Sequence, residues 1–268
     1  MNRKPSLFRA LVSMLGLIFT LSPAEAVGPS GQTVPSSGTY LAAYSIVSGI
    51  GFGGLLIQAG QATDVALAND PAAPSRHVIR VQIHKNNDFS KVANGAPRSE
   101  FTLPRNVYMG PGQEYLIRWQ TYLPRDFAFD RQQMEIITQI HQSESSGPPP
   151  FMLTLLGEDY TFSVRGGLNT EHGSGGRVCC ARSDLGRWVN WTLQYAPDAS
   201  GQEAVTRLWK SGKLVLDGNG LANAYPRDRR AYLKFGIYKP GWLKQPSDVD
   251  ALELYFGDVS VFARTVHR

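Results

Sequence analysis

Two short strands carry the residues of this chain best suited to moving a proton. In Gln139-Ile140-His141 and in Tyr232-Leu233-Lys234-Phe235-Gly236-Ile237-Tyr238, polar and apolar residues alternate. Residues two apart on an extended strand point the same way. Gln139 and His141 therefore share one face, while Ile140 turns to the core. Tyr232, Lys234, Gly236 and Tyr238 share a face opposite Leu233, Phe235 and Ile237. A strand with one clean apolar side has no structural need for His, Gln, Lys and Tyr on the other unless that side meets water or a ligand. These four residue types supply a base, an acid, a hydrogen-bond donor and a cation, which is enough for proton-transfer chemistry. Upstream, Arg98-Ser99-Glu100 places two more charged groups at i and i+2.

The order Arg-Ser-Glu, then Gln-Ile-His, then Tyr-x-Lys-x-Gly-x-Tyr, within residues 75–265, resembles the jelly-roll polysaccharide lyases. These include the glucuronan lyases, the heparin lyase I-like enzymes and the alginate lyases with a Gln-Ile-His signature. The resemblance implies β-elimination on a uronic-acid polymer, glucuronan-like first. A base removes the C5 proton beside the carboxylate, and an acid protonates the leaving oxygen on C4. Because the carboxylate's charge opposes carbanion formation, the site must offset it with cations or donors placed where charge develops. The planar fork of Arg98 suits that task, and Gln139 can donate an amide hydrogen bond; the resemblance assigns both these roles. It makes His141 and Tyr238 the proton-transfer pair and leaves open which is the base. A tyrosine, with an ordinary pKa of about 10, needs nearby positive charge to serve as base. Lys234 is expected to supply that charge or to bind a neighbouring uronate. Tyr232 and Glu100 complete the expected substrate-binding set, with Glu100 orienting Arg98 through an ion pair.

Gln82-Ile83-His84 repeats the signature string but precedes Arg98. His141 is therefore chosen, and His84 is read as a strand residue beside the cleft or outside it. Phe101 and Thr102 stand where alginate lyases often have an apolar residue and another Arg. Lys239 follows Tyr238 where they usually carry Asn-Gln. Both departures lean toward the glucuronan and heparin lyase I-like relatives. Two other functions compete. A non-catalytic carbohydrate-binding jelly roll needs no acid–base pair. A glycoside hydrolase needs two carboxylates across the scissile bond, and residues 134–141 offer only Glu135.

The elements that must position these groups are short strands punctuated by Gly and Pro. Segments 77–84, 114–123, 134–141, 151–156, 160–164, 188–195, 204–209, 213–216, 231–238 and 252–263 read as strands, with Ser211-Gly212 as a hairpin turn. No helix of ordinary length and no internal repeat is found. Many short strands with such turns mean an all-β sandwich or jelly roll. Gly186-Arg187-Trp188-Val189-Asn190-Trp191, followed by the Trp209–Lys213 hairpin, resembles the concanavalin-like jelly rolls. The expected fold is therefore all-β, a concanavalin-like β-jelly-roll sandwich. Trp188 and Trp191 cannot share a face of one regular strand, so one is expected in the core and the other nearer the surface.

Residues 1–26 read as a secretory signal peptide: Arg3, Lys4 and Arg9, an apolar run from 10 to 21, and Ala24-Glu25-Ala26. A flexible lead-in at 27–40 and a single domain at 41–268 are expected, in a secreted or periplasmic protein. The uncharged stretch 41–60 is read as a buried strand or two, with no membrane span in the mature chain. Cleavage lowers the net charge from +5 to +3, since three basic groups leave with one acid. That mild excess fits an acidic polysaccharide partner, and with no Lys/Arg-rich run nucleic acid is not expected. A monomer is expected. No cofactor is expected: no acidic cluster marks a calcium loop, and no second Cys or His pair supports a metal site. The only cysteines, Cys179 and Cys180, are adjacent; a vicinal disulfide, two thiols or links between chains are all open.

Overall fold

The structure, a computed structural model, describes residues 33–144, 147–168 and 173–266. The expected leader lies outside them. Among the described residues there is no α-helix, only fifteen strands and six short 3-10 turns. No helix among the described residues is long and apolar enough to cross a membrane.

The strands form two antiparallel sheets. One is built from β13 (Lys213–Asp217), β12 (Val205–Lys210), β11 (Trp188–Ala196), β6 (Gln113–Tyr122), β15 (Ala251–Thr265), β4 (His77–His84) and β3 (Val65–Asn69) in that order, with β1 (Leu41–Ile46) also pairing with β15. The other runs β10 (Gly173–Cys179), β9 (Asp159–Arg165), β8 (Phe151–Leu156), β7 (Glu135–His141), β14 (Tyr232–Tyr238), β5 (Arg98–Thr102) and β2 (Leu56–Ala59). Together they make the expected jelly-roll sandwich.

Aromatic side chains from both sheets meet between them. Phe101 on β5 and Phe235 on β14 stack at 5.4 Å. Phe256 of the opposite sheet packs edge-on to Phe101 at 5.3 Å, and Trp119 to Phe235 at 6.0 Å. Each such fully buried ring contributes about 1.5–3 kcal/mol over its exposed state. Phe101 and Phe235 turn inward, so their neighbours in sequence, Glu100, Lys234 and Gly236, must turn outward. Packing here sets the polarity of the opposite face.

Several details differ from the expectations. β1 and β2 are sheet margins with mostly exposed side chains, not buried strands: each has a neighbour on one side only, and Leu41, Leu56 and Ile57 face outward. The described part of the lead-in, mostly exposed or half-buried, touches the domain at two points. Tyr40 is buried with its hydroxyl on Glu114, and the Pro35 carbonyl accepts from Arg118. Other details agree. Trp191 is buried in the core, while the half-buried Trp188 carries Arg76 over its ring. The β12–β13 hairpin turns on Ser211 and Gly212, both at positive φ, the two-residue turn whose twist matches paired strands. Cys179 and Cys180 are joined as a vicinal disulfide at the end of β10.

Candidate active site

Three adjacent strands of the second sheet bring the candidate residues together. β14 lies between β7 and β5, and the register sets Tyr232 against His141, Lys234 between Gln139 and Thr102, Gly236 against Glu100, and Tyr238 against Arg98. Gly236 has φ +138°, and a Cβ there would collide with the Ser99 carbonyl and the Glu100 backbone. A residue without a side chain is required for β14 to approach β5 this closely. β14 is also bulged between Phe235 and Tyr238, which twists the strand end that carries Tyr238.

On the face turned from the core, Arg98, Glu100, Gln139 and Lys234 form one buried polar network, at 5, 2, 1 and 2% exposure. Glu100 is its centre. Its carboxylate accepts from Lys234 Nζ at 2.6 Å and from Gln139 Nε2 at 2.6 Å, and Arg98 stands at 3.4 Å. Lys234 also donates to Gln58 Oε1 at 2.9 Å. Arg98 donates to Asn94 Oδ1 at 2.7 Å and to the Ala96 carbonyl at 3.3 Å. Two cations against one carboxylate leave an excess positive charge beneath the surface. Burial lowers the Lys234 ammonium below its ordinary range, with Glu100 pulling the other way. A buried charge of this kind persists only where it is paired and hydrogen-bonded.

Above this network stand the half-buried His141, Tyr232 and Tyr238. His141 stacks on Tyr232 at 5.2 Å between ring centres. Its Nδ1 lies 2.8 Å from the Gln142 carbonyl, an acceptor, so Nδ1 carries the proton and Nε2 offers its lone pair. Burial lowers the imidazole's pKa, the Gln142 hydrogen bond opposes this, and the Lys234 charge adds to the lowering. Arg98 holds its guanidinium 4.1 Å over the Tyr238 ring, and its charge is also felt at His141 and at the Tyr232 hydroxyl. The seven residues singled out in the sequence thus share one face.

Their partnerships differ from those expected. Arg98, not Lys234, lies against Tyr238. Glu100 serves Lys234 and Gln139 more closely than Arg98, and the Gln139 amide is engaged by Glu100. His84 lies on β4 of the opposite sheet, exposed and set against Ala251.

A family model described as polysaccharide lyase matches residues 46–260. The chain belongs to the polysaccharide lyase family. Solved structures show the same fold. The endo-β-1,4-glucuronan lyase from the fungus Trichoderma reesei aligns at a TM-score of 0.60 and 14% identity, over 74% of this chain and 86% of that one. The family 7 alginate lyase A1-II' aligns at 0.56 and 14%, over 79% and 95%. A variant of that enzyme in complex with substrate aligns at 0.56 and 12%, over 80% and 93%. At these identities the likeness is one of fold. No curated protein matches the sequence.

A second buried ionic cluster lies next to the site of this lyase. Lys239, directly after Tyr238, is fully buried, with its ammonium 2.8 Å from Asp130 and 2.9 Å from Glu135. Burial pushes the Glu135 carboxyl up to about 7, against the pull of Lys239. Burial also opposes ionisation of Asp130, but hydrogen bonds from Lys239, Ser247 and the Gln132 amide bring it down to about 2. The Lys239 backbone N–H donates to the Pro97 carbonyl at 3.0 Å, tying the end of β14 to the residue before Arg98. In sequence Lys239 is legible only as a departure from the alginate lyases. Gln58 and Asn94 were missed altogether. Asn94 had a signal, because Asn94-Gly95 is a turn dipeptide and both residues take positive φ. Gln58 had none. Among the described residues one group of potential metal ligands is close enough to share an ion, Asp159 with Cys179 and Cys180, and its two sulfurs are bonded to each other.

Proposed function

We propose that this polysaccharide lyase is exported and cleaves a uronic-acid-containing polysaccharide, glucuronan-like, by β-elimination. The observation that carries the reading is the placement of a neutral-leaning histidine and a tyrosine over a buried network of net positive charge. The uronate carboxylate sits over Arg98 and Gln139, whose field offsets the charge that builds as C5 loses its proton. His141 Nε2 or the Tyr238 oxygen takes that proton. The C5 electron pair becomes the C4–C5 double bond as the C4–O bond breaks, and the leaving oxygen collects a proton, with Tyr238 as donor. The departures after Glu100 and Tyr238 favour glucuronan over alginate. Hydrolysis fits poorly. Glu100 is bound by Lys234 and Gln139, and Glu135 is buried on Lys239, so neither is free to flank a scissile bond.

The purified protein incubated with glucuronan should release oligosaccharides with an unsaturated uronate at the new non-reducing end, read by ultraviolet absorbance. Reducing the carboxylates of the polymer to alcohols should stop cleavage, because C5 loses its acidifying neighbour. Saturated ends, or undiminished cutting of the reduced polymer, refute the reading.

The pH profile provides a second check. Because burial lowers the His141 pKa, the neutral form needed for a base survives to lower pH than in a free histidine. With His141 as base, kcat/KM should fall only on acidification past about pH 6.5, the ordinary histidine value. An acid limb with its midpoint above that value would remove His141 as the base.

A further inference from the structure

We infer that an arginine-rich rim at the His141 end of the site, formed by Arg105, Arg227, Arg229 and Arg230 with Tyr108, is a second subsite that holds a uronate unit away from the scissile bond. The inference rests on the uronate reading above. The segment Pro226-Arg227-Asp228-Arg229-Arg230 leads directly into β14, and its three arginines are exposed, as is Arg105 on the connection after β5. Among the described residues none of the four is in an ion pair. The one acid of the segment, Asp228, is buried and points the other way. It accepts from the Ser143 amide at 3.2 Å, from the Ser143 hydroxyl and from the Arg230 amide.

Ser143 lies two residues beyond His141, so Asp228 pins the arginine segment to the site while leaving its positive charge uncompensated outside. The charge of Asp228 also reaches the Tyr232 hydroxyl, and Tyr232 is the ring on which His141 stacks. The two rim segments are joined. Arg230 donates to the Arg105 carbonyl at 3.3 Å, and the Met109 amide donates to the Ala231 carbonyl at 2.6 Å. Arg230 lies 4.9 Å over the ring of Tyr108, which is 42% exposed. A cation braced on an aromatic ring, flanked by free guanidinium forks, matches a sugar that presents a carboxylate at its edge and C–H groups on its face. A polymer with a carboxylate on every unit engages the rim and the catalytic face at once, and each contact raises the effective concentration for the other.

The test uses the full chain, glucuronan, a glucuronan trisaccharide and carboxyl-reduced glucuronan. In Arg105→Gln/Arg227→Gln/Arg229→Gln, KM for glucuronan should rise about tenfold, the sum of three modest exposed contacts, with the change falling on KM and not on kcat. The trisaccharide should be affected much less. The corresponding triple Lys variant keeps the charge and should recover most of the affinity, which separates loss of charge from loss of fold. Glucuronan affinity, measured without turnover in the Tyr238→Phe background, should depend less steeply on salt once the three arginines are gone. Unchanged polymer KM and salt dependence overturn the rim, as do equal losses on polymer and trisaccharide or undiminished binding of the reduced polymer. If no unsaturated product forms but the triple variant still loses glucuronan binding, the elimination reading fails and the rim stands.

Discussion

Tyr238→Phe should lower turnover about 10²–10⁴-fold, the range contributed by a positioned general acid or base. The substitution removes one oxygen and leaves the ring on which the Arg98 guanidinium rests. The strand, the ion network and the arginine rim should be unaffected, and polymer binding should persist while unsaturated product ceases to accumulate. His141→Ala should cost turnover over the same range and should also remove the ring against Tyr232. Effects of the two on kcat should not add, because groups that act in one proton transfer are lost together. His84→Ala is the matched control: the same tripeptide on the opposite sheet should leave product formation unchanged. Full activity in Tyr238→Phe would show that Tyr238 is not the acid.

Glu100→Ala should destabilise the fold by about 3–5 kcal/mol, the cost of stranding a buried charge. Lys234 would lose its nearest anion and Arg98 its only carboxylate, two cations facing each other under a cover that excludes water. Gln139 Oε1 already has no partner, and its amide nitrogen would be orphaned as well. Denaturant titration of Glu100→Ala reads the loss. The double variant Glu100→Gln/Lys234→Met, which removes the charge pair together, should recover much of it, because an apolar substitute for a buried pair is often neutral. A loss under about 1 kcal/mol in Glu100→Ala would mean that water reaches the network.

The face of each strand was readable because it depends only on alternation. Phe235 and Ile140 had to point inward, so Lys234, Gln139 and His141 had to point outward. Chain order also separated the two Gln-Ile-His strings: the one after Arg98 lies on the Arg98 sheet and the one before it on the opposite sheet. The cross-strand pairings were not readable. Whether Lys234 reaches Tyr238 or Glu100 depends on register, and the register is shifted by a bulge between Phe235 and Tyr238 that alternation does not reveal. The buried Lys239 was hidden for a different reason. A lysine after a strand end reads as solvated, and only Asp130 and Glu135, more than a hundred residues earlier, make its burial affordable. β1 and β2 were misread as buried because an uncharged stretch looks the same in a core and at a sheet margin.

β15 is fifteen residues long and borders β4, β6 and β1. Its pairing with β1 sets Ile46 against Val259 and Leu41 against Ala263, so the first of the described strands waits for the last. β14, the strand at the centre of the site, likewise must insert between β5 and β7, both synthesised far earlier. Contacts this distant in sequence make folding slow, because loop closure is met before the contacts repay it. Neither sheet can be completed until almost the whole chain has emerged. The face that carries Arg98, Gln139 and His141 is therefore assembled only once β14, the next-to-last strand, has been made.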